Sequence, residues 1–225
     1  MTMTAAPPEA VTESSNVDAS EARVLLHNVT WHAYEQIGEA LRDRPALRLT
    51  YDRGSLEIMT TSARHEQYKK ILGRMLETLA EEFGLRILPS GSATFKREDL
   101  ERGLEPDECF WIQHTPQMRM GAEWDAETQP PPDLVIEVEV TRSAVARMGI
   151  YASLGVPEVW RFSERSLQIC LLQPDGSYEI VTRSPTFPEV PVEEIPRFLN
   201  PRDDWDYLSV IREFRAWVRG FVGEQ

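Results

Sequence analysis

Apolar and polar residues alternate along this chain in short blocks that predict many strands around a few helices. The most apolar block, residues 132–141, is rich in Val and Ile and begins with a proline, which is typical of a buried central strand. Glu137 and Glu139 interrupt it. Because side chains two apart on a strand leave the same face, both carboxylates are expected to face one space. Carboxylates are seldom fully buried alone, so that space holds solvent, an arginine or a metal ion.

Four segments have the apolar spacing of helices. Thr30 is positioned to cap a short helix, and Ser62 to cap a long one that ends near residue 83. Residues 141–154 predict a third helix. Asn200, followed by a proline, begins a C-terminal amphipathic helix. We expect this last helix to dock on the body of the protein rather than on a second subunit.

The remaining apolar segments predict strands and the turns between them. Strands are expected at 47–51, 56–59, 85–88, 93–96, 106–112 and 156–162, with loops at 97–105 and 115–131 and a hairpin turn at 174–176. The strand–helix–strand unit over residues 133–162 fits a right-handed parallel crossover. The fold class is therefore α/β, a mixed sheet flanked by helices, with the C-terminal amphipathic helix added.

The composition suits one domain. Of the 225 residues, 1–22 are rich in Ala, Pro, Glu, Ser and Thr and predict a disordered tail. The domain then spans 23–200, and the terminal helix lies in 201–225. Cys109 and Cys170 lie in apolar segments and are expected to be buried thiols. With no apolar run of membrane-span length and no signal-peptide pattern, we expect a cytoplasmic protein without a membrane partner.

The net charge of -13 limits the partners. A protein that grips duplex DNA over a wide surface usually has a basic face, because phosphate contacts dominate affinity. Nucleic-acid binding by this chain therefore requires a local basic patch. Lys69, Lys70 and Arg74 form either such a patch or an ordinary solvated helix face.

Acids at strands and strand ends are the candidate chemistry: Glu57, Asp107, Glu137 and Glu139. Gathered at one edge of a sheet they would repel one another, and Mg²⁺ or Mn²⁺ is the natural compensation. Acids on two strands with a cation indicate phosphodiester hydrolysis, and hydrolysis of another phosphoester stays open. Structural roles also stay open. In structural roles, Asp107 would cap a turn, and Glu137 and Glu139 would form ion pairs with Arg142 or Arg147.

Separate blocks of the chain resemble the putative restriction endonuclease (Uma-type) family of the PD-(D/E)XK nuclease superfamily. They occur in the family's order over about residues 24 to 200. The blocks are residues 51–59, 65–69, 103–110, 132–138 and 150–160.

The resemblance implies a metal-dependent DNA endonuclease with a restriction-endonuclease-like core. Asp107 and Glu137 match the two acids that hold Mg²⁺, and His65 and Glu57 match positions bordering the site. The chain has Glu139 where the superfamily has a lysine, and Arg147 aligns with a lysine displaced into the next helix.

An arginine in that place keeps the positive charge, but it cannot act as a base because its pKa is above 12. The alternative function is therefore a catalytically degenerate nuclease-fold protein that binds a protein or nucleic-acid partner. A homodimer is expected only by analogy with other soluble oligomers. The target sequence and the biological system served stay open.

Overall fold

The computed structural model describes residues 21–44, 46–91, 93–121, 124–141, 143–163, 166–200 and 206–223. Most of the predicted tail, residues 1–20, and Arg142 lie outside these ranges. Within them the chain forms the elements β1 (Arg23–Leu26), α1 (Trp31–Ala40), β2 (Leu47–Asp52), β3 (Ser55–Thr60), α2 (Ala63–Glu82), β4 (Leu88–Pro89), β5 (Phe95–Arg97), β6 (Arg102–Leu104), β7 (Glu108–Trp111), β8 (Leu134–Val138), α3 (Arg147–Leu154), β9 (Glu158–Ser163), β10 (Ser166–Leu172), β11 (Tyr178–Val181) and α4 (Tyr207–Arg219).

The strands form two sheets. One has the order β1-β3-β2-β6-β5, and the other has the order β11-β10-β9-β8-β7-β4. All pairs are antiparallel except β8 and β9, which are joined through α3. The fold is thus mixed α/β with flanking helices and the predicted parallel crossover, but with two sheets where the sequence indicated one.

Local sequence signals set the main boundaries. The side chains of Thr30 and Ser62 cap α1 and α2 by accepting hydrogen bonds from the backbone N–H three residues on. Arg53 and Gly54 both have positive φ between β2 and β3, which is the type I′ geometry that suits a two-residue hairpin. These elements are confirmed as predicted.

The central strand β8 separates two apolar clusters. Ile136 and Val138 face the cluster built by α2 and α4, and Val135 faces the cluster that includes α3. Helix α4 docks on α2 through Phe214 and through ion pairs such as Arg219 Nε to Glu82 Oε2, at 2.8 Å. The prediction that the terminal helix covers the body is confirmed. None of the helices in the described ranges is both long and apolar enough to cross a bilayer.

Several predicted boundaries are wrong. Helix α3 begins at Arg147, not at residue 141, because the preceding segment is held by Glu57, which accepts hydrogen bonds from Ser143 and Ala144. The predicted loop at 97–105 contains β6, which pairs with β2 and β5. Only Leu88 of the predicted strand at 85–88 is in a strand. The cap of α4 is Asp206 rather than Asn200.

Candidate functional site

A small cavity brings together most of the residues that the sequence singled out. The space open to water there is about 30 Å³, enough for a small number of water molecules. It lies where β7, β8 and the first turns of α2 and α3 meet. The predicted site residues His65, Asp107, Glu137, Glu139 and Arg147 all line it, together with Arg23, Arg48, Met59, Glu105, Val138, Thr141 and Ser143.

Strand pairing brings the two principal acids close together. β7 and β8 pair with Glu108 opposite Ile136, so Asp107, one residue before β7, lies beside Glu137. Oδ2 of Asp107 accepts a hydrogen bond from the backbone N–H of Val138 at 2.8 Å. Both side chains are buried and line the same cavity. They therefore do not lie on opposite sides of the sheet.

Helix α3 supplies the partners of Glu137. Arg147, its first residue, donates to Oε1 of Glu137 at 2.6 Å, and the hydroxyl of Tyr151 donates to the same oxygen. Arg147 also donates to Oγ1 of Thr50 at 2.7 Å and to the carbonyl of Glu105 at 2.8 Å. Burial, together with the nearby charge of Asp107, raises the pKa of Glu137 despite Arg147.

Glu139 has a different arginine. Arg161 of β9 forms a two-pronged interaction with it, with Nε to Oε1 at 2.9 Å and Nη2 to Oε2 at 3.0 Å. The predicted ion pair with Arg147 is present for Glu137, whereas Glu139 pairs with Arg161, which the sequence did not single out, and Arg142 lies outside the described residues. The position that the superfamily pattern gives to lysine thus carries a neutralised carboxylate.

His65 lies in the first turn of α2 with 1% of its surface exposed. Its Nε2 is 3.2 Å from Oδ2 of Asp107, but neither ring nitrogen makes a well-directed hydrogen bond within the described residues. Burial works to lower the pKa of His65, but Asp107, with smaller contributions from Glu21 and Glu66, raises it above its ordinary value. Burial works to raise the pKa of Asp107, and His65 and Arg147 hold it below its ordinary value.

Glu57 does not line the cavity but braces one wall. Its carboxylate accepts from Arg23 at 2.9 Å, from the Ser143 hydroxyl at 2.8 Å and from the Ala144 N–H at 2.7 Å. It thereby ties β1 and β3 to the segment that leads into Arg147.

Glu57→Ala is expected to lower the free energy of unfolding by about 2 kcal/mol, because the Ser143 and Ala144 donors lose their acceptor while Arg23 is partly open to water. Urea unfolding measures this. Glu179→Ala, an exposed glutamate on β11, is the matched control and should change stability little. A loss of stability no larger than that of the control would remove the bracing role.

Whether a divalent cation fits depends on the carboxylate oxygens of Asp107 and Glu137 that accept no hydrogen bond. Oε1 of Glu137 and Oδ2 of Asp107 hold the hydrogen bonds described above. Oε2 of Glu137 and Oδ1 of Asp107 make none within the described residues. Mg²⁺ commonly takes one or two carboxylates and keeps several waters, so this donor set fits it. No cluster of three or more His, Cys, Asp or Glu side chains in the described ranges is arranged for a metal.

Glu108 follows Asp107 in the chain but does not line the cavity, and its carboxyl lies against Gly73 of α2. Burial raises its pKa from 4.5 to about 7, Lys69 opposes that rise, and Asp107 adds to it. The pKa of Glu108 is higher in the folded protein than in the unfolded chain. The protonated carboxyl therefore stabilises the folded state, and this contribution is fully present below about pH 4.5. That stability is lost as the pH rises through 7.

Glu108→Gln should therefore stabilise the protein by about 2 kcal/mol at pH 8.5, after discounting for partial exposure, and change little at pH 5. Urea unfolding at the two pH values measures the difference. The exposed Glu179→Gln is the control. Equal effects of the two variants at pH 8.5 would contradict the burial of a charge at Glu108.

Several residues of this site were not predicted from the sequence. The sequence places Tyr151 on the apolar side of α3 and places Thr50 and Arg48 in a strand. It assigns Arg23 to no element, and it marks none of these four as a site residue. The one available signal was the tyrosine on the same helical face as Arg147, four residues on. The pairing of Arg23 with Glu57, 34 residues apart, had no local signal.

Comparison with known proteins identifies the class. Residues 31–199 match the Uma2 family, which is described as a putative restriction endonuclease. Since this match covers most of the chain, the protein belongs to that nuclease family, as its sequence blocks indicated. The crystal structure of a putative nuclease belonging to DUF820, from Anabaena variabilis ATCC 29413, is similar with a TM-score of 0.43. The two chains are 13% identical over 76% of this chain and 90% of that one. No curated protein matches.

Proposed function

We propose that this protein is a metal-dependent DNA endonuclease whose centre is the cavity between Asp107 and Glu137. The observation that carries the proposal is the pair of oxygens, Oδ1 of Asp107 and Oε2 of Glu137, that stay without hydrogen bonds from the described residues beside one small polar cavity. Carboxylate oxygens that line such a space and accept no hydrogen bond from the described residues favour a bound cation, since Mg²⁺ commonly takes one or two protein carboxylates.

Asp107 and Glu137 would hold Mg²⁺ or Mn²⁺. Such an ion supplies positive charge at a phosphodiester and favours ionisation of an attacking water. The depressed pKa of Asp107 keeps that ligand ionised at neutral pH. The burial of these side chains also strengthens every charge interaction within the site.

Arg147 has the geometry of an electrostatic stabiliser. It stays protonated, since its pKa is raised well above the usual value by Glu137 although burial opposes this. Its guanidinium is fixed by Thr50 and the Glu105 carbonyl, so positive charge is preorganised beside the two acids. The role of general base is not available to it. His65, with both ring nitrogens unsatisfied by the described residues, is positioned to bind or orient a water in the cavity.

The test is cleavage of supercoiled plasmid with Mg²⁺, with Mn²⁺ and with EDTA, beside calorimetry of metal binding. We expect nicked or linear product that needs the metal, and binding of the metal to the protein without DNA. In addition, Arg147→Lys raising the rate would indicate that lysine serves this site better than arginine does.

A second function is favoured by one specific observation. The guanidinium of Arg147 already neutralises Glu137, at 2.6 Å, and Glu139 is neutralised by Arg161. A site that is electrically satisfied without metal is what a catalytically degenerate, partner-binding member of the fold would have. Absence of cleavage together with absence of metal binding would select this alternative.

A further inference from the structure

An open groove of about 680 Å³ runs next to the small cavity. It is lined by residues of α1 and the start of β2, by β4, and by residues that include 90, 93–94, 118–121 and 124. Arg48 and Glu105 line both the groove and the small cavity, so the two spaces adjoin. A strand bound in the groove would therefore lie next to the residues that separate it from Asp107 and Glu137.

The groove is locally basic on an acidic protein. Among the described residues that line it, five are basic and three, Glu35, Glu39 and Glu105, are acidic. The whole chain, by contrast, has a net charge of -13. The basic residues are Arg42, Arg44, Arg48, Lys96 and Arg119. This is the local basic patch that nucleic-acid binding requires of such a composition.

Two of these cations are available to a ligand. Arg42 pairs with Glu39, and Lys96 pairs with Glu35 at 2.9 Å. Arg44 and Arg119, which both line the groove, are exposed and form no ion pair with any residue that the structure describes. Their positions suit contacts with successive phosphates of a strand lying between them.

The groove also offers apolar surface beside its cations. Trp124 is partly buried, and its ring is fixed by a hydrogen bond from Nε1 to the carbonyl of Pro130 at 3.0 Å. Met120 is 90% exposed at the groove's rim. Flat apolar side chains beside cations are the features of proteins that stack the unpaired bases of single strands. The volume is within the range of pockets for small molecules, which suits a short segment of one unpaired strand.

We propose that this groove binds single-stranded DNA, with Arg44 and Arg119 on its phosphates and Trp124 against a base, and that it leads one phosphodiester to the cavity of Asp107 and Glu137. The inference rests on the proposed function for the cleavage step, but the binding step stands without it. The substrate class is thus an unpaired strand or a locally opened duplex, rather than intact duplex.

The test measures binding without metal. Fluorescence anisotropy in EDTA compares a labelled oligothymidylate with a labelled hairpin duplex across a salt series. We expect the single strand to bind at least about 10-fold more tightly. Arg44→Ala/Arg119→Ala should weaken it about 10-fold and reduce the slope of log affinity against log salt by about 1.4, two phosphate contacts at roughly 0.7 each. Trp124→Ala should weaken binding by a similar factor, and Trp124→Phe should restore most of it.

The matched control removes the same charge elsewhere. Arg183 and Arg212 are exposed and lie outside the groove, so Arg183→Ala/Arg212→Ala should keep the wild-type affinity and salt slope. Equal binding of duplex and single strand, or an equal loss in the control, overturns the inference. Metal-dependent cleavage of duplex that survives Arg44→Ala/Arg119→Ala with unchanged KM overturns it and leaves the proposed function intact. Metal-free binding that depends on Arg44 and Arg119, without any cleavage, supports the groove and removes the proposed function.

Discussion

Asp107→Asn and Glu137→Gln are each expected to lower Mg²⁺-dependent cleavage by at least about 100-fold, because each removes the charge of one of the two carboxylates proposed to hold the ion. The amides keep the size of the side chains. The carboxamide oxygen that Asp107→Asn introduces would still accept a hydrogen bond from the Val138 N–H, so the fold is retained. Initial rates of plasmid nicking at saturating Mg²⁺ measure the loss, and calorimetry measures the accompanying loss of metal affinity.

Two controls separate a catalytic effect from a general one. Glu179→Gln removes a carboxylate from an exposed position on β11 and should cleave like the wild type. Thermal unfolding in EDTA should find both site variants folded at the assay temperature. Cleavage that survives both substitutions would come from a contaminating nuclease and would refute the assignment of these acids.

The parts of the fold that were predictable depend on neighbours along the chain. Thr30 and Ser62 cap helices by bonding a backbone N–H three residues away, and the turn at Gly54 joins adjacent strands, so short patterns sufficed. The division into two sheets did not follow from such patterns. It depends on the pairing of β6 with β2, which lies about 50 residues earlier, and no local pattern in residues 102–104 indicates that pairing.

The residues of the site also differ in how far local sequence patterns could predict them. Asp107 and Glu137 could be proposed from their position at strand ends and from the family pattern, and both line the cavity. The salt bridge between Arg161 and Glu139 depends on the register of β8 against β9, which periodicity does not specify. Similarly, helical spacing predicts the face on which Tyr151 lies, but not the reach of its phenol oxygen to Glu137.

These arrangements give the cavity an internal cation of its own. Oε1 of Glu137 receives both Arg147 and Tyr151, while Oε2 is left for another ligand. A divalent ion at Oε2 would repel the guanidinium, so metal and Arg147 compete for the charge of one carboxylate. Metal affinity and the stability of the metal-free protein should therefore change in opposite directions when Arg147 is replaced.

Arg147→Met is expected to lower the free energy of unfolding in EDTA by about 3–5 kcal/mol at neutral pH, because it leaves Glu137 buried and unpaired. The same variant should bind Mg²⁺ more tightly, so that Mg²⁺ raises its Tm more than it raises that of the wild type. Urea unfolding in EDTA and thermal unfolding across a Mg²⁺ series measure the two effects.

The double variant Arg147→Met/Glu137→Gln is the matched control for this competition. Removing the charge along with its partner should recover most of the lost stability, since no ionised group then stays buried alone. The double variant should also lose the enhanced response to Mg²⁺, because the side chain at position 137 is no longer anionic. If Arg147→Met costs less than about 1 kcal/mol, the ion pair is solvated and contributes as little as a surface pair. If Mg²⁺ stabilises the single and double variants equally, Glu137 does not ligate the metal, and the centre must be built on Asp107 with other groups.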